Sequence, residues 1–304
     1  MSDLASLLRA RAASGSRAGA RTDSARIGLC IEGGAMRAVV AAGMMLGLKE
    51  LGLTQAFDAV FGSSAGAICG AYLLSGQAAF GARIFTEDIN NSRFASRRRV
   101  LTGGPVIDLD YLVDDVMVRR KPLDTTAVLT APAPLSVLAT DVATGDARLL
   151  TGFADGVELL QALRAGATMP IIAGDPYPFR GRPYFDASLS EPIPLRPAEA
   201  DGCTHVLVVL TRPRGVPRDV SWFDHWFVAP RLRRVLPALA DRYLARTAPY
   251  QALQDEIEAG RSRSGAVEIL GLRPTFVLGK LEQQRARLLA GAASGREAVY
   301  AVLA

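Results

Sequence analysis

Two short apolar runs, each stopped by glycine and each followed at once by helical periodicity, constrain this chain more than any other feature. The first is RIGLCI, Arg26 to Ile31, with AMRAVVAAGMMLGLKELGL after its glycines; the second is FDAVFG, Phe57 to Gly62, followed by SAGAICGAYLLSG. A short unbroken apolar run reads as a strand buried on both faces, and apolar residues returning at helical spacing read as its covering helix. Two strand-helix units in succession predict a parallel sheet with helices packed on it. Further strands are expected at Leu135 to Thr140, Arg148 to Thr151, His205 to Thr211 and Ala266 to Leu270, and further helices at Asp155 to Ala165 and Ala229 to Ala245.

A chain of 304 residues, 49% hydrophobic and 21% charged, buries a large core, which excludes disorder throughout. No apolar run approaches the ~20 residues of a membrane span, and the N-terminal segment lacks the apolar stretch of a secretory signal. The chain is therefore read as soluble and cytoplasmic. Met1 to about Ala25 is rich in Ala, Arg, Ser and Gly and reads as a flexible tail (1–25). Residues 26–304 then form one domain, with 216–304 as its more helical C-terminal part. Cys30, Cys69 and Cys203 form no C-x-x-C pair and read as reduced core thiols. The net charge of +5 is almost wholly arginine, since Lys49, Lys121 and Lys280 are the lysines. A lysine-poor, alanine-rich usage also follows genome composition, so the charge is no argument for a nucleic-acid partner, and none is expected.

The turn after the second strand, VFGSSAGAICG, puts Ser64 in the middle of a G-x-S-x-G pattern between Gly62 and Gly66. A serine on a strand-to-helix elbow is exposed, and the helix dipole beside it favours developing negative charge. The same residues also suit a glycine-rich turn in which Ser63 or Ser64 caps the helix. Upstream, IEGGAMRA leaves the backbone N–H groups of Gly33, Gly34 and Ala35 uncrowded, and such donors are what an oxyanion requires. Arg37 either adds a positive charge there or anchors the loop. The loop has neither G-x-G-x-x-G nor G-K-[ST], which argues against dinucleotide and P-loop phosphate binding.

A serine nucleophile needs a base. His205 and His225 lie downstream of Ser64, as a hydrolase triad requires. Yet His205 opens the apolar CTHVLVVL and His225 sits among aromatics in SWFDHWFVAP, so both read as structural. RPYFDASLSEPIPL offers Asp186, either a turn residue or a carboxylate that takes the serine proton directly in a water-poor pocket. Asp141, in ATDVATG, reads as a hairpin-turn residue and is the reserve carboxylate. The acidic IDLDYLVDD, Ile107 to Asp115, is spaced irregularly for a calcium loop and lacks its glycine, so no metal and no cofactor are expected.

EGGAMRA, GSSAG, RAGATMP and FDAS, in this order and approximate spacing, resemble the bacterial patatin-like phospholipases. The resemblance runs from about Ile27 to Leu195 and more loosely to the C-terminus. It implies a three-layer α/β/α fold around a central, mostly parallel sheet. It also implies a serine acyl-hydrolase that cleaves phospholipid or lysophospholipid esters through an acyl-enzyme, without a metal. By motif position Ser64 would be the nucleophile, Asp186 the general base, and Gly33, Gly34 and Ala35 the oxyanion donors with Arg37 adjacent. Three alanines depart from the family pattern, namely Ala35, Ala38 and Ala187, each where a glycine is common. An alanine keeps the N–H but resists positive φ. Two alternatives follow: a catalytically weak lipid-binding or regulatory protein of the same fold, or a Ser-His-Asp esterase using His205 or His225.

A lipid substrate calls for an interfacial surface. SWFDHWFVAPRLRRVLPALADRYLAR, Ser221 to Arg246, joins four large aromatics to five arginines. Rings beside cations suit a headgroup region, and peripheral membrane contact is expected through Trp222, Trp226, Arg231, Arg233 and Arg234. The competing reading is an ordinary helix that packs Leu232, Leu236, Leu239 and Tyr243 on the core and leaves its arginines solvated. SRFASRRRV, Ser92 to Val100, reads as a solvated loop before Gly103-Gly104-Pro105.

Overall fold

The computed structural model describes residues 3–218, 220, 222 and 224–304. Met1, Ser221 and Phe223, named in stretches above, lie outside them. Eight strands form one sheet: β1 Ile27–Ile31, β2 Ala59–Ser63, β3 Leu135–Asp141, β4 Ala147–Leu150, β5 Tyr177–Phe179, β6 Arg182–Asp186, β7 His205–Val209 and β8 Glu268–Leu272. The order is β5-β6-β3-β2-β1-β7-β8, with β4 also paired to β3. β3, β2, β1, β7 and β8 run parallel, while β4, β5 and β6 are antiparallel additions. The expected strands are present, shifted by one or two residues at their ends.

Alternate residues of the central strands enter two different cores. Leu29, Ile31, Leu207 and Val209 pack with the helices Val39–Glu50 and Ala65–Leu74. Cys30, Val206 and Val208 pack on the other face with Leu195, Tyr250 and Leu253. Burial on both faces is why these strands read as unbroken apolar runs, and it gives the helix-sheet-helix layering. The expected helix over Ala229 to Ala245 is two helices, Ala229–Val235 and Pro237–Leu244. Pro237 forces the preceding Leu236 out of the helical region, to φ −155° and ψ 114°.

The described part of the expected flexible tail, Asp3 to Ala25, is ordered against the domain. Asp3–Ser14 is a helix that buries Leu4, Leu8 and Arg11, one face at helical spacing. Arg11 is 2% exposed, held by Asp58 at 2.7 Å and Asp23 at 2.6 Å. A buried, doubly paired arginine docks this helix, and the charge that made the segment look solvated is part of its attachment.

One feature of the register positions the site. β4 covers Val137 to Thr140 along one edge of β3. The other edge is therefore shared: β2 pairs with Leu135 to Leu138 and β6 with Ala139 to Asp141. Ser63 lies opposite Leu138 and Asp186 opposite Ala139, so the C-terminal ends of β2 and β6 meet head to head.

Candidate active site

Ser64 follows β2 at φ 55° and ψ −133° and opens the helix Ala65–Leu74. This backbone conformation is costly for a residue with a side chain and persists only where the surroundings impose it. A Cβ at Gly62 would stand 2.2 Å from Ala67 Cα, and one at Gly66 2.5 Å from the Ile31 carbonyl oxygen. The two glycines thus let helix and strands close to a distance no larger residue permits, which fixes the elbow. Ser64 makes no side-chain capping bond, so the helix-cap role does not occupy its hydroxyl.

The loop after β1 packs on the elbow, and a Cβ at Gly33 would lie 2.7 Å from both Ser63 O and Ser64 Cβ. The loop is framed by Glu32 N–H donating to Val209 O and Met36 N–H donating to Lys280 O. Between them, the N–H groups of Gly33, Gly34 and Ala35 have no backbone acceptor among the described residues. Ala35 sits at φ 50°, the left-handed region that a glycine would occupy without strain. Ala38, at φ −65°, is relaxed, and Ala187 is not among the residues of positive φ.

Arg37 is buried and anchors the loop. Its Nε donates to Thr211 Oγ1 at 3.0 Å. Glu32 completes the network, accepting from Thr211 N at 2.6 Å, from Thr211 Oγ1 at 2.8 Å and from the Tyr250 hydroxyl at 2.9 Å. Burial pulls the Arg37 guanidinium down to about 10, against the pull of the Glu32 carboxylate. Glu32, Thr211 and Tyr250 were not singled out from the sequence. The legible signal was a carboxylate directly after an apolar strand, where burial demands partners.

Asp186 ends β6 with no exposed surface. Its N–H donates to Thr168 O at 2.8 Å, so the RAGATMP segment aims the end of β6. Oδ1 accepts from Ser188 N at 2.7 Å, while Oδ2 is buried without a hydrogen-bond partner. Ser64, Asp186, Gly33, Gly34, Ala35 and Arg37 all line one narrow cavity of about 30 Å³, room for a water or two. Arg212, Arg218 and Lys280 line it as well. A second cavity of about 40 Å³ shares Ser64 and Ala35 with the first and is otherwise walled by apolar side chains such as Ile68, Phe85, Phe94 and Leu109. Ser64 therefore stands between a cationic cavity and an apolar one.

The other candidates lie elsewhere. His205 is at the start of β7, the end away from the site, with Nδ1 2.8 Å from Thr204 Oγ1 and Nε2 3.8 Å from Glu268. His225 is exposed in the Asp224–Val228 segment. Neither lines a cavity containing Ser64. Asp141 is not in the hairpin turn but ends β3, opposite Tyr184, with its carboxylate accepting from Ala143 N at 2.9 Å and facing Arg182 at 3.0 Å. The acidic stretch is spent on structure: Asp108 accepts from Tyr111 N, and Asp110 and Asp114 pair with Arg164.

Trp222 and Trp226 are each 68% exposed, with the Trp222 ring 5.5 Å from that of Phe227. Arg231, Arg233 and Arg234 are exposed, while Leu232 packs with Phe185, the neighbour of Asp186. Arg231 and Arg234 border a groove of about 520 Å³ whose other wall is Gly103, Gly104 and Pro105. Arg233 also faces Asp241 at 3.4 Å, and Arg242 and Arg246 pair with Asp146 and Asp224. Among the described residues no helix is long and apolar enough to cross a membrane.

A model of the patatin-like phospholipases matches residues 29–199, the part that carries the glycine loop, the elbow and Asp186. The chain is similar to the uncharacterized protein YjjU of Escherichia coli (strain K12), 26% identical over 204 residues that cover 66% of this chain and 55% of that one. It thus spans about half the length of that relative. Among solved structures it is similar to VipD from Legionella pneumophila, with a TM-score of 0.49, 11% identity, and coverage of 92% of this chain and 67% of that one. It is also similar to human GIVD cytosolic phospholipase A2 in complex with methyl gamma-linolenyl fluorophosphonate, with a TM-score of 0.44, 13% identity, and coverage of 100% and 64%. With more than half of its length matched by the family model, the chain belongs to the patatin-like phospholipase family.

Proposed function

We propose that this chain is a serine acyl-hydrolase that cleaves ester bonds of phospholipids or lysophospholipids with a dyad of Ser64 and Asp186. The observation that carries the reading is the setting of Ser64, on a strained elbow in the wall between an apolar cavity and a polar one that also holds Asp186. The acyl chain takes the apolar side. Ser64 Oγ attacks the ester carbonyl carbon, and its proton passes to Asp186 Oδ2, the buried oxygen without a partner. The oxyanion accepts from the unpaired N–H groups of the Gly33-Gly34-Ala35 loop, with the Ala65–Leu74 helix N-terminus adding its dipole. Asp186 then returns the proton to the leaving alcohol. In the second half a water gives its proton to Asp186 as it attacks the acyl carbon, the bond to Ser64 Oγ breaks to release the fatty acid, and Asp186 passes the proton to Ser64 Oγ.

The exposed Trp222 and Trp226 with Arg231, Arg233 and Arg234 support peripheral docking on an anionic lipid surface. Rings at the headgroup boundary and cations on phosphate are the arrangement such surfaces reward. Covalent labelling of Ser64 by a fluorophosphonate, together with ester hydrolysis, tests the enzyme reading. Protein that binds vesicles but neither labels nor hydrolyses would replace it with a lipid-binding role.

A further inference from the structure

The cationic half of the cavity beside Ser64 contains donors that have no acceptor among the described residues. Arg218 is 7% exposed; its Nη2 donates to Ser188 O at 2.8 Å, but Nη1 is buried with no acceptor. Arg212 spends Nη1 on Pro217 O at 2.9 Å and keeps a buried Nε unpaired. Both guanidinium groups lie against the Tyr250 ring, at 6.0 and 5.5 Å from its centroid, which holds them in place. Lys280 completes the wall, and its backbone carbonyl accepts from Met36 N–H of the glycine loop.

The countercharge is insufficient. Arg37, Arg212, Arg218 and Lys280 line the cavity against two carboxylates, Glu32 and Asp186. Both Glu32 oxygens are already taken by Thr211 and Tyr250. Burial, with Arg218, Arg37 and Arg212 crowding it, pulls the Lys280 ammonium down to about 7. Unfilled buried donors and crowded like charges are both costly, and a bound anion relieves both.

We propose that Arg212, Arg218 and Lys280 form an anion subsite that takes a phosphoryl group, with the two charges of a phosphomonoester matching the two cations in excess. Resting on the acyl-hydrolase reading, the group sits on the alcohol side of the scissile ester, opposite the apolar cavity. The three residues lie beyond the segment matched by the family model.

Two probes that differ by the phosphoryl group, oleoyl lysophosphatidate and mono-oleoylglycerol, are compared, with inorganic phosphate titrated calorimetrically. Wild type is expected to favour the phosphorylated ester by about tenfold or more in kcat/KM, chiefly through KM. Arg218→Gln is expected to collapse that ratio and to lose phosphate binding. Lys280→Met, which removes a side chain that makes no hydrogen bond, carries the same test should the arginine variant not fold. Phosphate binding that the variants lose, without discrimination between the esters, retains the subsite and assigns it to free phosphate. Protein that hydrolyses neither ester overturns the acyl-hydrolase reading, and calorimetry with phosphate still decides the subsite. Equal rates on both esters with no phosphate binding, or equal losses on both in the variants, overturn the subsite.

Discussion

The backbone N–H of Ser188 donates to Asp186 Oδ1 at 2.7 Å, which fixes one oxygen of a carboxylate that lines the cavity of Ser64 and leaves the other buried and unpartnered among the described residues. In the proposed dyad the first oxygen orients the carboxylate and the second takes the serine proton. Asp186→Asn keeps the orienting bond and loses the base, so ester hydrolysis is expected to fall by about 10³-fold or more, as in Ser64→Ala. His205→Ala and His225→Ala are expected to retain turnover within a few-fold. Kinetics on a short acyl ester, with folding checked by circular dichroism, decide this; loss of turnover in a folded histidine variant would instead favour a triad.

Ala35 and Ala187 carry the same substitution of alanine for glycine but in different backbone states. Ala35 is at φ 50° and Ala187 is not in the left-handed region. Ala35→Gly relieves about 1 kcal/mol of strain, which offsets the entropy glycine adds to the unfolded chain, so the melting temperature is expected to hold or rise. Ala187→Gly gains nothing at a fully buried site and is expected to cost about 1 kcal/mol, or about 2 °C in Tm. Thermal melts of the two variants side by side read the difference.

Glu191 gives stability a pH dependence. Burial pushes its carboxyl up to about 7, against the Arg196 N–H that donates to it at 3.0 Å. Because the folded chain holds this proton more tightly than the unfolded chain, the contribution is complete below about pH 4.5 and is lost as pH rises through about 7. Glu191→Gln stays neutral. Relative to it, wild type is expected to lose about 1–3 kcal/mol between pH 5 and pH 8, measured as the difference between two denaturant series.

Trp222 and Trp226 present two indoles to solvent. The double replacement Trp222→Ala, Trp226→Ala is expected to weaken partition onto anionic vesicles by about tenfold or more, while hydrolysis of a soluble ester is retained. Vesicle sedimentation at two salt concentrations separates ring from charge. An unchanged partition would leave the pair as ordinary surface residues.

The central strands and the elbow were legible because their chemistry demands particular residues: unbroken apolar runs for β1 and β2, and glycines where helix meets strand. β5 and β6 were not, since each is short and carries a proline, Pro178 and Pro183, which reads as loop. The long helix Arg285–Leu303 escaped notice because much of its buried face is Gly291, Ser294 and Gly295, too small to form an apolar stripe. Arg212 and Arg218 share the loop after β7 and meet Lys280 only through tertiary packing, as Glu32 and Thr211 meet Tyr250 of the helix Thr247–Ala259. The strain at Ala35 depends on a dihedral that no residue name encodes.

Because β2 and β6 divide one edge of β3, the proposed pair of Ser64 and Asp186 also reports on how the sheet was assembled. A slip of β6 by one residue would set Phe185 opposite Ala139 in place of Asp186 and turn the carboxylate to the opposite face. Such a misaligned chain could keep most of its apolar packing and still be inert. Recovery of turnover during refolding is therefore a register measurement, trailing the return of helical signal by the time β6 takes to find its place.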